Sequence, residues 1–314
     1  MVKSIVSLCL LSLFITSCYL DEKVSIKIPD AENQFFTKKG RLFVSGGKNI
    51  YEVKKHPSGK LYRSGPLLSF NCYATGITEI EGYLYATCNS LKKSLLASTI
   101  KANLCSFQKK NYVRCLKALA VESYLLAAKL TEQPQFQLVQ RLDSVSFANG
   151  LTNDQSGNLY VADSISKTIY KVKISGLQIE KIIPWLEDLI FPNGIKIKNN
   201  VMYITDFNLV KKINIKNGLP GPTEVLYKSS DFLDDFSFFK ENILVTKIFR
   251  GAITIIREDG TSFNTHPMFI FPSSILQGRK PLFNNNQFIV TDKGFMYEFN
   301  SGIGNKLKVI TLTD

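Results

Sequence analysis

One pattern recurs along most of this chain, and it leaves few folds open. Its clearest copy reads Asn149-Gly-Leu-Thr-Asn-Asp-Gln-Ser-Gly-Asn-Leu-Tyr-Val-Ala-Asp163, then Thr168-Ile-Tyr-Lys-Val-Lys-Ile174. Leu159 and Val161, then Tyr170, Val172 and Ile174, alternate in the manner of half-buried strands. Gln155-Ser156-Gly157-Asn158 between them is turn chemistry. The first apolar residue of the second strand recurs at Leu42, Leu84, Leu125, Leu159, Met202, Ile243 and Phe288, in steps of 42, 41, 34, 43, 41 and 45. A further apolar strand follows each, among them Ile50–Val53, Leu95–Ser98, Phe136–Val139 and Met296–Phe299. A period of about 40–45 residues carrying four short strands is the signature of a β-propeller. A lone blade exposes two faces and two edges; a ring of blades buries the faces and leaves short edges.

The expected class is therefore all-β, a propeller of four-stranded blades. Counting units favours seven blades. Six is the alternative, because the unit marked by Leu125 is short. Leu116–Leu130 is rich in Ala and Leu, but Leu125 falls on the repeat, so the segment reads as that short unit rather than as a helix. Trp185, preceded by Pro184, reads as a link between units. One domain is expected over residues 34–314, after a tether at 18–33.

The first residues read as a leader. Lys3 precedes an apolar run from Ile5 to Ile15, shorter than the about 20 residues a spanning helix needs. Ile15-Thr16-Ser17-Cys18 then resembles the lipobox of bacterial lipoproteins, which implies cleavage after residue 17 and acylation of Cys18. Several acyl chains anchor stably, at about 0.8 kcal/mol per buried methylene. Tyr19 rather than Asp after the cysteine implies, by the bacterial sorting rule, the outer membrane. The expectation is a lipid-anchored protein of the cell envelope, facing the periplasm or the exterior.

Net charge is +13. Its lysines are scattered singly or in pairs, so the basic balance points to a solvated surface near anionic polymers and away from nucleic acid. Beyond Cys9 and Cys18, four cysteines remain: Cys72, Cys88, Cys105 and Cys115. An exported chain can oxidise them, and four cysteines allow three pairings. Zinc fits poorly, with no C-x-x-C pair and two histidines, His56 and His266.

In a propeller the turn entering each blade's first strand looks into one mouth of the central channel. Stepping back from the second strands gives Thr75-Gly76, Asn149-Gly150, Pro192-Asn193-Gly194, Asp234-Asp235 and Ser273-Ser274. Oxygen donors converging there suit calcium, which takes six to eight oxygens. The candidate ligands are Asn149, Asn193, Asp234 and Asp235. Asp163, Asp206 and Asp292 end second strands at equivalent places and read as repeated turn hydrogen bonds.

The stretch Phe147–Ser164 resembles the repeat of the senescence marker protein 30, gluconolactonase and paraoxonase family, and also the NHL repeat, a binding module. The first resemblance implies a calcium-dependent lactonase or esterase acting at the channel mouth, with Asn149 as a ligand. The family's next blade usually offers Pro-Asp-Gly, whereas this chain has Pro192-Asn193-Gly194. That removes one negative charge, which Asp234 or Asp235 would restore. The family's N-terminal metal-binding Glu has no convincing match in this chain; Glu32 is the one candidate, and it sits in the wrong context. The second resemblance implies a non-catalytic scaffold holding an envelope protein or small ligand. No P-loop, G-x-S-x-G elbow or His–Glu metal motif occurs.

Overall fold

The computed structural model describes residues 24–91, 120–154, 156–293 and 304–311. They form six antiparallel sheets of four strands each, so the propeller has six blades, not seven. The strand β1 (Val24–Lys27) belongs to the last blade. Blade I is β2 (Ala31–Phe36), β3 (Leu42–Gly46), β4 (Asn49–Lys55) and β5 (Leu61–Ser64). Blade II is β6 (Tyr73–Ile80), β7 (Tyr83–Leu91), β8 (Ala120–Lys129) and β9 (Gln137–Arg141). Blade III is β10 (Ala148–Asn153), β11 (Asn158–Asp163), β12 (Thr168–Ser175) and β13 (Gln178–Leu186). Blade IV is β14 (Pro192–Lys198), β15 (Val201–Asp206), β16 (Leu209–Lys216) and β17 (Leu219–Lys228). Blade V is β18 (Leu233–Phe239), β19 (Asn242–Lys247), β20 (Ala252–Ile256) and β21 (Ser262–Asn264). Blade VI is β22 (Pro272–Gln277), β23 (Gln287–Asp292), β24 (Lys306–Thr311) and, outermost, β1.

The miscount has a local cause. Leu125 lies on β8, the third strand of blade II, and pairs with Thr87 of β7. Residues 92–119 intervene between those two strands and push β8 to where a new second strand was expected. Phe136–Val139 then falls at the fourth strand, β9, of the same blade. Leu95–Ser98 and Met296–Phe299 lie outside the described residues, as do Cys18, Cys105 and Cys115. The expected tether at 18–33 contributes a strand instead. β1 zips onto β24 in register Val24↔Val309 to Lys27↔Lys306, and the chain then enters blade I. Trp185 sits in β13, edge-on to Tyr160 at 5.1 Å, rather than in a link. Pro184 is tolerated because β13 is an outer edge.

The core is divided among the blade interfaces. Six apolar clusters fill the six seams, for example Phe43, Ile50, Ile77 and Leu84 between blades I and II, and Ile26, Leu42, Ile289 and Val309 between VI and I. Each fully buried Leu, Ile or Val contributes about 1.5–3 kcal/mol, so stability belongs to the ring and not to any single blade. The inner strands touch in cyclic order β2, β6, β10, β14, β18, β22 and back to β2. That order sets six strand beginnings around one axis.

Candidate functional site at the channel mouth

Every inner strand starts with a break in its ladder to the second strand. The register shifts fall between Ala31 and Gln34, Ala74 and Ile77, Ala148 and Leu151, Pro192 and Ile195, Leu233 and Phe236, and Pro272 and Ser274. Bulges of this kind re-aim side chains. The residues inside them are Glu32-Asn33, Thr75-Gly76, Asn149-Gly150, Asn193-Gly194, Asp234-Asp235 and Ser273.

A bulge frees a backbone N–H, and a buried N–H needs a partner. Here hydroxyls on the second strands supply it. Ser45 Oγ accepts from Asn33 N at 3.0 Å, Thr87 Oγ1 from Gly76 N at 3.1 Å, and Thr205 Oγ1 from Gly194 N at 2.8 Å. Thr246 Oγ1 accepts from Asp235 N at 3.1 Å and Thr291 Oγ1 from Ser274 N at 2.6 Å. The same hydroxyls reach the bulge of the next blade, as from Ser45 to Thr75 O at 2.7 Å and from Thr291 to Glu32 O at 3.1 Å. Blade III has Ala162 at this position; there Ser164 Oγ donates to Pro192 O at 2.6 Å and accepts from Asn149 Nδ2 at 3.2 Å. Neighbouring bulges approach so closely that a Cβ on Gly150 would lie 2.1 Å from Asn193 O. Glycine there makes room for the next blade.

Beneath this belt, three carboxylates clamp the segments that enter the inner strands. Asp163 accepts from Ser146 N at 2.6 Å and Phe147 N at 3.1 Å. Asp206 accepts from Ile190 N at 2.9 Å and Phe191 N at 2.6 Å, and Asp292 from Ile270 N at 2.8 Å and Phe271 N at 3.1 Å. All three are fully buried, and they have the turn role expected of them.

Inside the frame lies a small pocket with room for a few water-sized groups, lined by Asp30, Glu32, Tyr73, Thr75, Asn89, Phe147 and Lys293 among others. Cys72 and Cys88 are bonded to each other. They immediately precede Tyr73 and Asn89, cross-strand partners in blade II, so the disulfide braces that wall. Lys293 forms an ion pair with Glu32 and lies 3.9 Å from Asp30 Oδ1. Asp30 has φ 47°, donates its N–H to Asn305 Oδ1 at 2.7 Å, and leaves Oδ1 buried without a hydrogen bond. Burial pushes its carboxyl up to about 6; Lys293 opposes the rise and Glu32 adds to it.

Asp234 is buried too. Desolvation raises its pKa most, repulsion from Glu32 and Asp235 adds to this, and Lys293 and a hydrogen bond from Asn193 counter it. Glu32, Lys293, Asp235 and Asn193 thus all bear on the charge of Asp234. Asp235, the next residue, is committed elsewhere. Its Oδ1 pairs with Lys196 Nζ at 2.5 Å and its Oδ2 accepts from Ser274 Oγ at 2.8 Å. Asp235 is thus part of the frame, while Asp234 belongs to the cluster. Glu32, Asp30 and Lys293 are the cluster members that the repeat pattern did not single out.

Among the described residues no three His, Cys, Asp or Glu side chains gather as a metal centre. The donors here are mixed: the carboxylates of Glu32 and Asp234 with the amides of Asn149 and Asn193. Glu32 is paired with Lys293, and Asp235 with Lys196. Carboxylate and amide oxygens are the donor types that a hard divalent ion such as calcium takes.

The fold is the six-bladed propeller shared with gluconolactonases and regucalcins. Residues covering 91% of this chain superpose on 87% of a gluconolactonase from Xanthomonas campestris at TM-score 0.61 and 11% identity. A calcium-binding regucalcin from Agrobacterium tumefaciens matches at TM-score 0.60 and 14% identity over 91% of this chain and 90% of its own. A chain of a nidogen/laminin complex matches at TM-score 0.56 and 12% identity over 80% of this chain and 85% of its own. By sequence the chain matches no family model and no curated protein. An enzyme, a calcium binder and an assembly component share this architecture, so it assigns no activity.

Proposed function

We propose that the channel mouth is a calcium site made by Glu32, Asn149, Asn193 and Asp234, and that the protein hydrolyses a lactone or ester there. One observation carries the reading: equivalent bulges of four blades present two carboxylates and two amides at the starts of their inner strands. Bound calcium would polarise the substrate carbonyl and stabilise the developing oxyanion. The protein's own residues do the rest. The Asn193 amide hydrogen-bonds Asp234 and keeps an oxygen to offer. Tyr73 and Phe147 wall the pocket and limit it to a small group. Asp30 lines the pocket and is the carboxylate that would take the proton of an attacking water.

Calorimetry with calcium chloride on chelator-treated protein tests this, beside hydrolysis of an aldonolactone and an aryl ester. Binding and turnover are expected, both lost in Asn193→Ala. Protein that carries no metal on elemental analysis, and whose melting temperature calcium leaves unchanged, would end the reading. A non-catalytic envelope scaffold is the second reading, supported by the match to a chain of a nidogen/laminin complex; it expects a partner that Asn193→Ala still binds, without turnover. Either role is consistent with anchoring through acylated Cys18, which forms part of the proposal.

A further inference from the structure

Lys293 is placed for more than a surface ion pair. It directly follows Asp292, the clamp of blade VI, and its backbone is held on both sides: Lys293 N donates to Phe271 O at 3.0 Å, and Lys293 O accepts from Asn305 N at 3.3 Å. From that fixed origin its side chain, 24% exposed, reaches across the ring closure to Glu32 of blade I, and lies 3.9 Å from Asp30 Oδ1. Its charge also acts on Asp234 of blade V. A lysine meant to receive an anionic ligand would not be paired with Glu32 and set beside Asp30, since their field repels anions. The surroundings are those of a cation seat, and Asp30 presents there a buried oxygen with no hydrogen bond. Glu32 cannot give the same lone pair to an ammonium and to a metal.

We propose that Lys293 is the tethered cation of the channel mouth, and that a divalent ion binds by displacing its ammonium from Glu32. The inference rests on the calcium reading above for the identity of the incoming ion. The tethered ammonium holds the acidic cluster together when no metal is bound and sets the threshold concentration at which metal enters. An ion must therefore outcompete a charge that is always at hand.

Titration of the full chain with calcium chloride, after chelator treatment, tests this in wild type, Lys293→Met and the Lys293→Met/Glu32→Gln double variant. Lys293→Met is expected to bind on the order of tenfold more tightly than wild type, the scale of a partly buried charge pair, and Glu32→Gln is expected to cancel that gain. Wild type that binds calcium while Lys293→Met binds no more tightly overturns the inference and leaves the calcium reading standing. Lys293→Met that binds where wild type does not overturns both, because no ion then displaces the ammonium. Binding by neither sinks both. Should Lys293→Met fail to fold, amine acylation of wild type followed by peptide mass spectrometry decides. Labelling of Lys293 is expected to rise several-fold in calcium-bound protein, and unchanged labelling there overturns the displacement.

Discussion

The frame of the channel mouth and the cluster within it are built from similar residues that are used in opposite ways. In the frame, Ser45, Thr87, Thr205, Thr246 and Thr291 each take a bulge N–H, and Asp163, Asp206 and Asp292 each take two or more entering amides. In the cluster, Asp30 and Glu32 share one lysine, whose charge also bears on Asp234. Asp234 and Asp235 are neighbours in sequence and fall on opposite sides of this divide. The contrast teaches where chemistry can sit in a repeated fold: at the copies whose polar atoms the fold has not already consumed.

Substitution should separate the two regions. In the frame, Asp206→Ala leaves the Lys211 ammonium, 2.6 Å from its carboxylate and only 10% exposed, without its counter-charge. A loss of about 3–5 kcal/mol in urea denaturation is expected, with calcium affinity unchanged in the folded fraction. A small loss would mean that water reaches Lys211, and the frame would be looser than described.

The cluster should respond in the reverse sense. The Asp30 carboxyl titrates near 6 when folded, against an ordinary 3.8, so across that window the native state holds a proton the unfolded chain has released. Metal-free protein should therefore lose stability as pH rises from about 4 to about 6, by up to ~3 kcal/mol from this group. Asp234, raised in the same direction, adds to the slope. Asp30→Asn should flatten the profile and make the protein more stable at pH 7, measured as the difference from wild type in denaturation at several pH values. An unaltered slope would move Asp30 out of the cluster.

The smallest effect belongs to single rungs of the belt. Thr291→Val keeps the shape but orphans Ser274 N, for about 1–3 kcal/mol, again without a change in calcium affinity. A change in affinity would show that belt and cluster are coupled, and would blur the distinction.

The sequence made some of this legible and hid the rest for physical reasons. Asn149 and Asn193 could be found because their bulges need glycine, and an Asn-Gly step repeats visibly. Asp234 could be found by its distance from them. Glu32 lies in a bulge without glycine, followed by Asn33 and Gln34, so nothing local marks it. Lys293 reaches Glu32 across 261 positions, through the closure of the ring, which no spacing reports. The blade count failed for a related reason: alternation marks a strand as half-buried but does not say whether it is second or third in its sheet. Leu84 and Leu125 are 41 residues apart, a normal blade step produced here by an insertion. The hydroxyl belt was present as Thr at one position of several second strands, a polar residue on a buried face, and that was the unused signal.

The pairing of β1 with β24 has a mechanical consequence. The strands are antiparallel, so Val24, the first residue of β1, lies toward the end of the sheet at which β24 finishes. A pull on the two strands there would peel the ladder open one rung at a time, rather than shear all its hydrogen bonds together. Its four residue pairs are the latch that closes the ring, and Ile26, packed into the seam between blades VI and I, is the bolt that holds until the third rung opens.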